Sequence, residues 1–440
     1  MEERVQIVVL DDDPTGIQTI HGCLLFTDWD QELLREGFAR EECFFYVLTN
    51  TRAYEPDRVR RIVSEVVANA LAVNREFGRP LIFVSRSDST LRSHFPVEID
   101  VISAAMEQSG LPLDAVFLVP AFFEGGRLTA GNVHYVVEGE RRVPAAETEY
   151  ARDSVFGYST SYLPDYIEEK TGGRVGADTV HTVSLEMLRG ADPQPLRQML
   201  RALSGGDFVV VNAERYPDLE RFAGQVLDAV QEGKRFAFQS AASIVKALGD
   251  VPEQPLLDRE IVPADGPGLF VVGSHVQKTT DQLRCLLDSD GVAGVELPVR
   301  EALGRPEPLR DELVAEVAAL WAQGLTPAVY TSREELVFES KEERLRAGQR
   351  ISAVLSGIVA GLPDAPSYLV GKGGITSHDI LVDGLTVQRA EVLGQILPGV
   401  PTIAVPGGRR FGGMPYVIFP GNVGGEDALL QVYNKLGRTA

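Results

Sequence analysis

The sequence predicts two α/β domains with mainly parallel sheets and a ligand cleft between them. Three observations carry this. Short β-rich runs alternate with longer segments of helical apolar spacing. The alternation halts in a proline-rich stretch and then begins again. The chain, at 440 residues, is longer than one ordinary core organises.

Val5–Leu10 reads as the first strand, followed by Phe44–Leu48, Leu81–Ser85, Ala115–Val119 and Phe208–Val211. Between the second and third, Pro56–Phe77 places Val59, Ile62, Val63, Val66, Val67 and Ala70 at helical spacing. Gly249–Gly268 holds Pro252, Pro255, Pro263 and Pro267 and reads as an interdomain linker. Leu269–Val272 is the next strand, and Thr279–Leu287 the helix after it. Ala328–Thr331, Tyr368–Val370, Thr402–Val405 and Val417–Phe419 read as strands, and Glu342–Ala360 as a long helix. The expected boundaries are therefore 1–248 for the first domain, 249–268 for the linker and 269–440 for the second domain.

Composition narrows the function. Hydrophobic residues at 44% and charged residues at 24% are ordinary for a globular chain, so disorder and fibrous repeats are excluded. A net charge of −21 leaves no basic excess for a nucleic-acid backbone. It also gives no long-range pull on anions, so an anionic substrate must rely on local Arg and Lys. Cys23, Cys43 and Cys285 are odd in number and form no CxxC pair, against a disulfide scaffold and in keeping with a reducing compartment. The six histidines show no zinc-ligand spacing. The N-terminal run has no signal-peptide pattern and no apolar stretch reaches ~18 residues, so a cytoplasmic protein without a membrane partner is expected.

Polar loops recur where strands end, which is where open α/β sheets bind ligands. Asp11-Asp12-Asp13-Pro14-Thr15-Gly16 follows the first strand. An Asx-type turn accounts for one aspartate, not three. Neighbouring carboxylates repel, so a substrate hydroxyl, a metal or arginines must compensate. Ser85-Arg86-Ser87-Asp88-Ser89-Thr90-Leu91-Arg92 combines two guanidinium groups, a carboxylate and hydroxyls. That set suits a polyhydroxy acid: Arg86 and Arg92 for its carboxylate, Asp88 and Ser89 for its hydroxyls. A capped helix start, with Ser87 or Asp88 as N-cap, is compatible with this. Arg52 follows the second strand in Thr49-Asn50-Thr51-Arg52, and Arg127 ends the polar loop Pro120–Arg127. His94 and His134 lie beside these loops, within reach of a substrate.

Three glycine-rich turns mark the second half: Gly273-Ser274-His275, Gly371-Lys372-Gly373-Gly374-Ile375-Thr376-Ser377 and Gly421-Asn422-Val423-Gly424-Gly425-Glu426. Small residues between strand and helix let backbone N–H groups approach a phosphate, so together the turns suggest a nucleotide cradle. A GxxxxGK string before Ser or Thr is absent, and no GxGxxG follows the first strand.

These strings, in this order, resemble the four-carbon acid sugar kinase family over nearly the whole chain. The family's paired-Asp signature resembles Asp12-Asp13-Pro14-Thr15-Gly16; its basic-x-Asp-Ser-Thr-Leu-Arg signature resembles Arg86–Arg92; its Pro-Ala-Phe…Gly-Arg-x-Thr segment resembles Pro120–Thr129. Its Gly-Ser and Gly-Gly-x-Thr turns resemble Gly273-Ser274 and Gly373-Gly374-Ile375-Thr376. The resemblance implies an ATP-dependent, Mg2+-assisted kinase acting on a tetronate, 3-oxo-tetronate or related aldonate. It implies Asp12, with Asp13 as runner-up, as the catalytic base. Arg52, Arg86, Asp88, Ser89, Arg92, His94 and Arg127 would bind the sugar acid. Gly273, Ser274, Lys372, Gly373, Gly374, Ile375, Thr376, Gly421, Asn422 and Gly424 would bind the nucleotide. Two departures stand out. Ser93, followed by His94, replaces the family's Gly after Leu-Arg, and Phe419-Pro420-Gly421 replaces its Lys-Ser-Gly, leaving Lys372 to supply a lysine. A non-catalytic sugar-acid or nucleotide sensor is the rival reading. An NAD-linked oxidoreductase is disfavoured by the missing dinucleotide fingerprint. Metal ligands are not assigned, and a homo-oligomer is left open.

Overall fold

The structure, a computed structural model, describes residues 4–333, 336, 340–407 and 411–437. Met1–Glu3, part of the N-terminal run read above, lie outside the described residues. The chain divides into two compact units, 1–253 and 254–440, each an α/β domain with a mainly parallel sheet.

In the first unit the strands are β1 (Gln6–Asp11), β2 (Leu24–Phe26), β3 (Phe44–Leu48), β4 (Leu81–Arg86), β5 (Ala115–Val119), β6 (Arg127–Ala130), β7 (Val133–Glu138), β8 (Arg141–Pro144), β9 (His181–Val183), β10 (Asp207–Val211) and β11 (Phe236–Ser240). Eight of them form a parallel sheet in the order β2-β3-β1-β4-β11-β5-β10-β9. Covering such a sheet on both faces requires continuous apolar strands. The runs Phe-Phe-Tyr-Val-Leu of β3 and Ala-Val-Phe-Leu-Val of β5 are buried throughout. The helix Pro56–Phe77 opens with its proline, ends at Gly78 with φ +66°, and buries the predicted Val59–Ala70 stripe. β6, β7 and β8 form a separate antiparallel sheet that the strand-helix alternation does not reveal. β1 pairs with β3 on one side and β4 on the other, in register at Asp11–Leu48 and Asp11–Arg86. It is the point where strand order reverses, so the loops after β1, β3 and β4 meet at one edge.

The second unit contains β12 (Leu269–Val272), β13 (Val292–Leu297), β14 (Thr326–Thr331), β15 (Leu369–Lys372), β16 (Arg389–Leu397), β17 (Val400–Ala404) and β18 (Pro415–Phe419). Their order is β13-β14-β12-β15-β18-β17-β16, parallel from β13 to β18 and antiparallel beyond. β12 is the switch strand here, between β14 and β15. The long helix predicted over 342–360 spans Lys341–Gly361. Much of the proline-rich stretch packs into this unit. Leu257 and Val262 lie in its core, and the Leu257 N–H donates to the Gln395 carbonyl at 2.8 Å.

One local expectation fails. No helix starts at Ser87 or Asp88: residues 87–96 are loop, and the helix begins at Val97. Asp88 instead closes its own turn, accepting the Thr90 N–H at 3.1 Å.

Candidate functional site

At the β1 switch point, acids and guanidinium groups are matched in pairs. Asp11 ends β1, is fully buried, and takes the Arg86 Nη1 at 3.3 Å. Burial pushes its pKa up to about 8 against the opposing pull of Arg86. Its carboxylate lies beneath the turn, where a Cβ on Gly16 would come within 2.0 Å of both oxygens. Asp12, 2% exposed, is gripped at two points by Arg52, Nε to Oδ2 at 3.0 Å and Nη2 to Oδ1 at 2.5 Å. Burial raises it to about 6, with Arg52 pulling the other way. Asp13 is less enclosed. Its Oδ1 accepts the Thr15 N–H at 2.8 Å and the Thr15 hydroxyl, and its Oδ2 faces Arg52 Nη1 at 3.4 Å. Burial raises its pKa, but Arg52 and the Thr15 bonds outweigh it and hold the carboxyl below the usual range.

The loop after β4 carries the third pair. Asp88 Oδ2 takes Arg92 Nε at 3.0 Å. Burial raises Asp88, but Arg52, Arg92 and the Thr90 bonds hold it far below a normal carboxyl. Arg92 Nη1 also faces Asp153 Oδ2 at 4.0 Å; its guanidinium lies 4.9 Å from the Tyr150 ring, and Arg127 lies 6.0 Å from the same ring. The Ser89 hydroxyl makes no hydrogen bond among the described residues, while its carbonyl accepts His134 Nε2 at 2.8 Å.

Two expectations change. Arg86 is buried, with Nη1 on Asp11 at 3.3 Å and Nη2 on Gln18 at 3.5 Å, so it offers a ligand its Nε rather than an open fork. His134 is fully buried, with Nδ1 3.0 Å from the Thr129 hydroxyl and Nε2 on Ser89, which fixes the Nε2–H tautomer and keeps the ring from a substrate. Burial pushes it down to about 4. His94 is also buried, edge-on to Phe156 at 4.9 Å, but its Nε2 has no partner.

Other buried polar atoms here also lack partners: Asp11 Oδ2, Arg86 Nε, Arg127 Nε and Ser240 Oγ. Beneath them runs a network that the motifs do not reveal. Glu98 accepts the Thr51 and Ser85 hydroxyls, each at 2.5 Å; the Ser85 oxygen also lies 3.2 Å from Gln239 Oε1, and Gln239 Nε2 donates to Ser87 Oγ at 2.7 Å. Glu98 lies in the first turn of its helix, where an acid normally reads as a dipole effect. Sequence pattern therefore carries no signal for it.

At the β12 switch point the three glycine-rich turns converge on Ser274. A Cβ on Gly373, which has φ +111°, would lie 3.2 Å from Ser274 Cβ, and one on Gly421 3.6 Å from Ser274 Oγ. A Cβ on Gly273 would collide with Thr376 Oγ1 at 2.1 Å. Thr279 joins the turns, 3.1 Å from Ser274 Oγ and donating to the Gly421 carbonyl at 3.3 Å. Gly374 starts the short helix Gly374–Asp379, and Thr376 is buried within it. Ile375 is 69% exposed and Val276, on the neighbouring turn, 48% exposed. Asn422 and Gly424 are exposed, the latter with φ +86° and fixed by Gln282, which donates to the Val423 and Gly425 carbonyls. Lys372 departs from expectation. Its side chain is fully buried, with Nζ on the Pro420 carbonyl at 2.6 Å and 4.1 Å from the Phe419 ring. Its ammonium is thus taken up by the carbonyls of the Gly421 turn. Lys278 and Arg333, absent from the motif reading, reach the same turns. Lys278 Nζ donates to the Asn422 carbonyl at 3.2 Å, and Arg333 to the Ser274 carbonyl at 2.9 and 3.0 Å.

Comparisons with known proteins follow the same division. A sugar-binding N-terminal domain model matches residues 7–248, and a nucleotide-binding C-terminal domain model matches 269–429. No curated protein matches significantly. Among solved structures, a Haemophilus influenzae protein of the DUF1537 family superposes with a TM-score of 0.65 at 17% identity, covering 98% of this chain and 100% of its own. A Salmonella typhimurium LT2 protein, described as a candidate tRNA synthase, gives 0.68 at 16% identity, covering 99% and 100%. At such identities the structures speak for a shared fold. The two domain matches, in this order and spanning most of the sequence, settle the family: the chain belongs to the four-carbon acid sugar kinase architecture, a sugar-binding domain followed by a nucleotide-binding domain.

Proposed function

We propose that this protein transfers the γ-phosphoryl group of ATP to a hydroxyl of a small sugar acid: a tetronate, a 3-oxo-tetronate or a related aldonate. The observation that carries the reading is the set of unpartnered buried polar atoms at the β1 switch point, which holds both donors and acceptors. Buried groups of this kind are costly unless a ligand satisfies them. A polyhydroxylated anion presents hydroxyls and a carboxylate to match both kinds.

In this reading Arg92 and Arg127, beside Tyr150, take the substrate carboxylate, while Ser89 and His94 face its hydroxyls. Asp12 accepts the proton of the attacking hydroxyl late in the transfer, and Arg52 holds it in line. A carboxyl raised to about 6 suits that task better than the depressed Asp13. ATP would take the Ser274 cradle, where side chains added at Gly273 and Gly373 would meet Thr376 Oγ1 at 2.1 Å and Ser274 Cβ at 3.2 Å. Among the described residues, no group of three or more His, Cys, Asp or Glu forms a metal cage. Mg2+ would therefore arrive on the nucleotide's phosphates, where it supplies charge neutralisation.

The test is ADP release by purified protein against a panel of tetronates, oxo-tetronates and other aldonates. Turnover on at least one member is expected. The rival sensor reading draws on Arg52's hold on both oxygens of Asp12. It gains if sugar acid and ATP both bind and no member of the panel is phosphorylated.

A further inference from the structure

We propose that Lys278 is a direct phosphate ligand of the nucleotide site, supplying the cation that the buried Lys372 does not present. This rests on the nucleotide-binding reading of the Ser274 cradle.

Lys278 occupies the first turn of the helix Gln277–Leu287, where the helix dipole disfavours a cation. Its side chain is exposed, yet it folds back over the cradle to the Asn422 carbonyl at 3.2 Å. It has no ion-pair partner among the described residues, and the nearby acid, Asp281, is taken by Gln277 at 3.0 Å and Arg284 at 3.5 Å. Lys372 reaches the same turn, 3.4 Å from the Gly421 carbonyl. The two ammonium groups repel: burial first, and Lys278 second, push Lys372 down to about 7. Arg333 adds a third cation on the Ser274 carbonyl, with Thr280 Oγ1 at 2.8 Å and no acid partner among the described residues. Lys278 and Lys372 thus meet the Gly421 turn and Arg333 the neighbouring Ser274 turn, none with an acid partner among the described residues, in a chain of net charge −21. Elsewhere, at the β1 switch point, every arginine in an ion pair has its acid. Like charges gathered without acids are stabilised by an anion between them. Of the three, Lys278 alone is exposed: Arg333 is half-buried and Lys372 fully buried.

The experiment measures ADP binding by calorimetry, and adenosine binding by ligand-observed NMR, for full-length wild type, Lys278→Ala and Lys278→Arg. Lys278→Ala is expected to weaken ADP by about tenfold to a hundredfold, the worth of a charge-assisted hydrogen bond. Adenosine, which lacks phosphate, should bind as to wild type, and Lys278→Arg should recover most of the loss. Unchanged ADP affinity in Lys278→Ala overturns the proposal and leaves the nucleotide reading standing. So does a parallel loss of ADP and adenosine, the mark of a disturbed fold. If wild type itself binds no ADP, the nucleotide reading falls and this inference with it.

Discussion

Asp12 and Asp13 are neighbours in the chain and opposites in environment. One is enclosed and raised by burial; the other is partly open and depressed by Arg52 and Thr15. Single-turnover phosphorylation at saturating substrate should separate them. Asp12→Asn is expected to slow the chemical step by about a hundredfold or more, with little change in substrate affinity. Asp13→Asn should cost much less. Near wild-type rates for both would remove the base from this cluster. His134 gives a second prediction at this scale. It stays neutral in the fold to about pH 4, whereas an unfolded histidine protonates near 6.5. Stability is therefore intact above about pH 6.5 and falls as the pH drops towards 4, by about 3 kcal/mol in all. Urea unfolding across that range should show the loss, and His134→Gln should flatten it. The aspartates and arginines are legible in the sequence because acids and bases massed at strand ends are improbable as plain turns. Their pairing is not legible, since it depends on which strands lie side by side.

Among the elements, the turn after β1 is fixed by one glycine. Gly16 leaves room for the Asp11 carboxylate, and an added Cβ would overlap it at 2.0 Å. Gly16→Ala should destabilise the protein by about 1–3 kcal/mol, as overpacking does, read as a lower urea midpoint with an unchanged slope. An unchanged midpoint would mean that the turn re-forms without strain. Ten of the eighteen described strands lie within two residues of their expected spans, because runs such as Phe44–Leu48 must be apolar on both faces. The other eight have no counterpart in the sequence reading, among them β11, although it lies at the centre of its sheet. Its buried Gln239 and Ser240 interrupt the apolar run, and those polar side chains belong to the network under the site. Lys278 and Glu98 went unread for the opposite reason: each sits inside an ordinary helical pattern.

For the whole molecule, the two domain matches imply that the sugar-acid and nucleotide sites can be damaged separately. Gly273→Val drives a side chain into Thr376. It should abolish detectable ADP binding while leaving sugar-acid affinity within about threefold, by calorimetry on folded protein. Equal loss of both ligands would count against this division. One feature of the first unit bears on how such a protein changes its substrate. Arg127 does not come from the parallel sheet; it begins β6, on the small antiparallel β6–β7–β8 sheet. In the proposed reading the carboxylate-anchoring arginine therefore sits on a sheet separate from the strand-end loops that carry Asp12, Asp13 and Asp88. A different β6–β7 pairing that keeps Thr129 and His134, whose ring holds the Ser89 carbonyl, would re-cut the mouth of the proposed pocket for a longer or shorter acid and leave the strand-end acids in place.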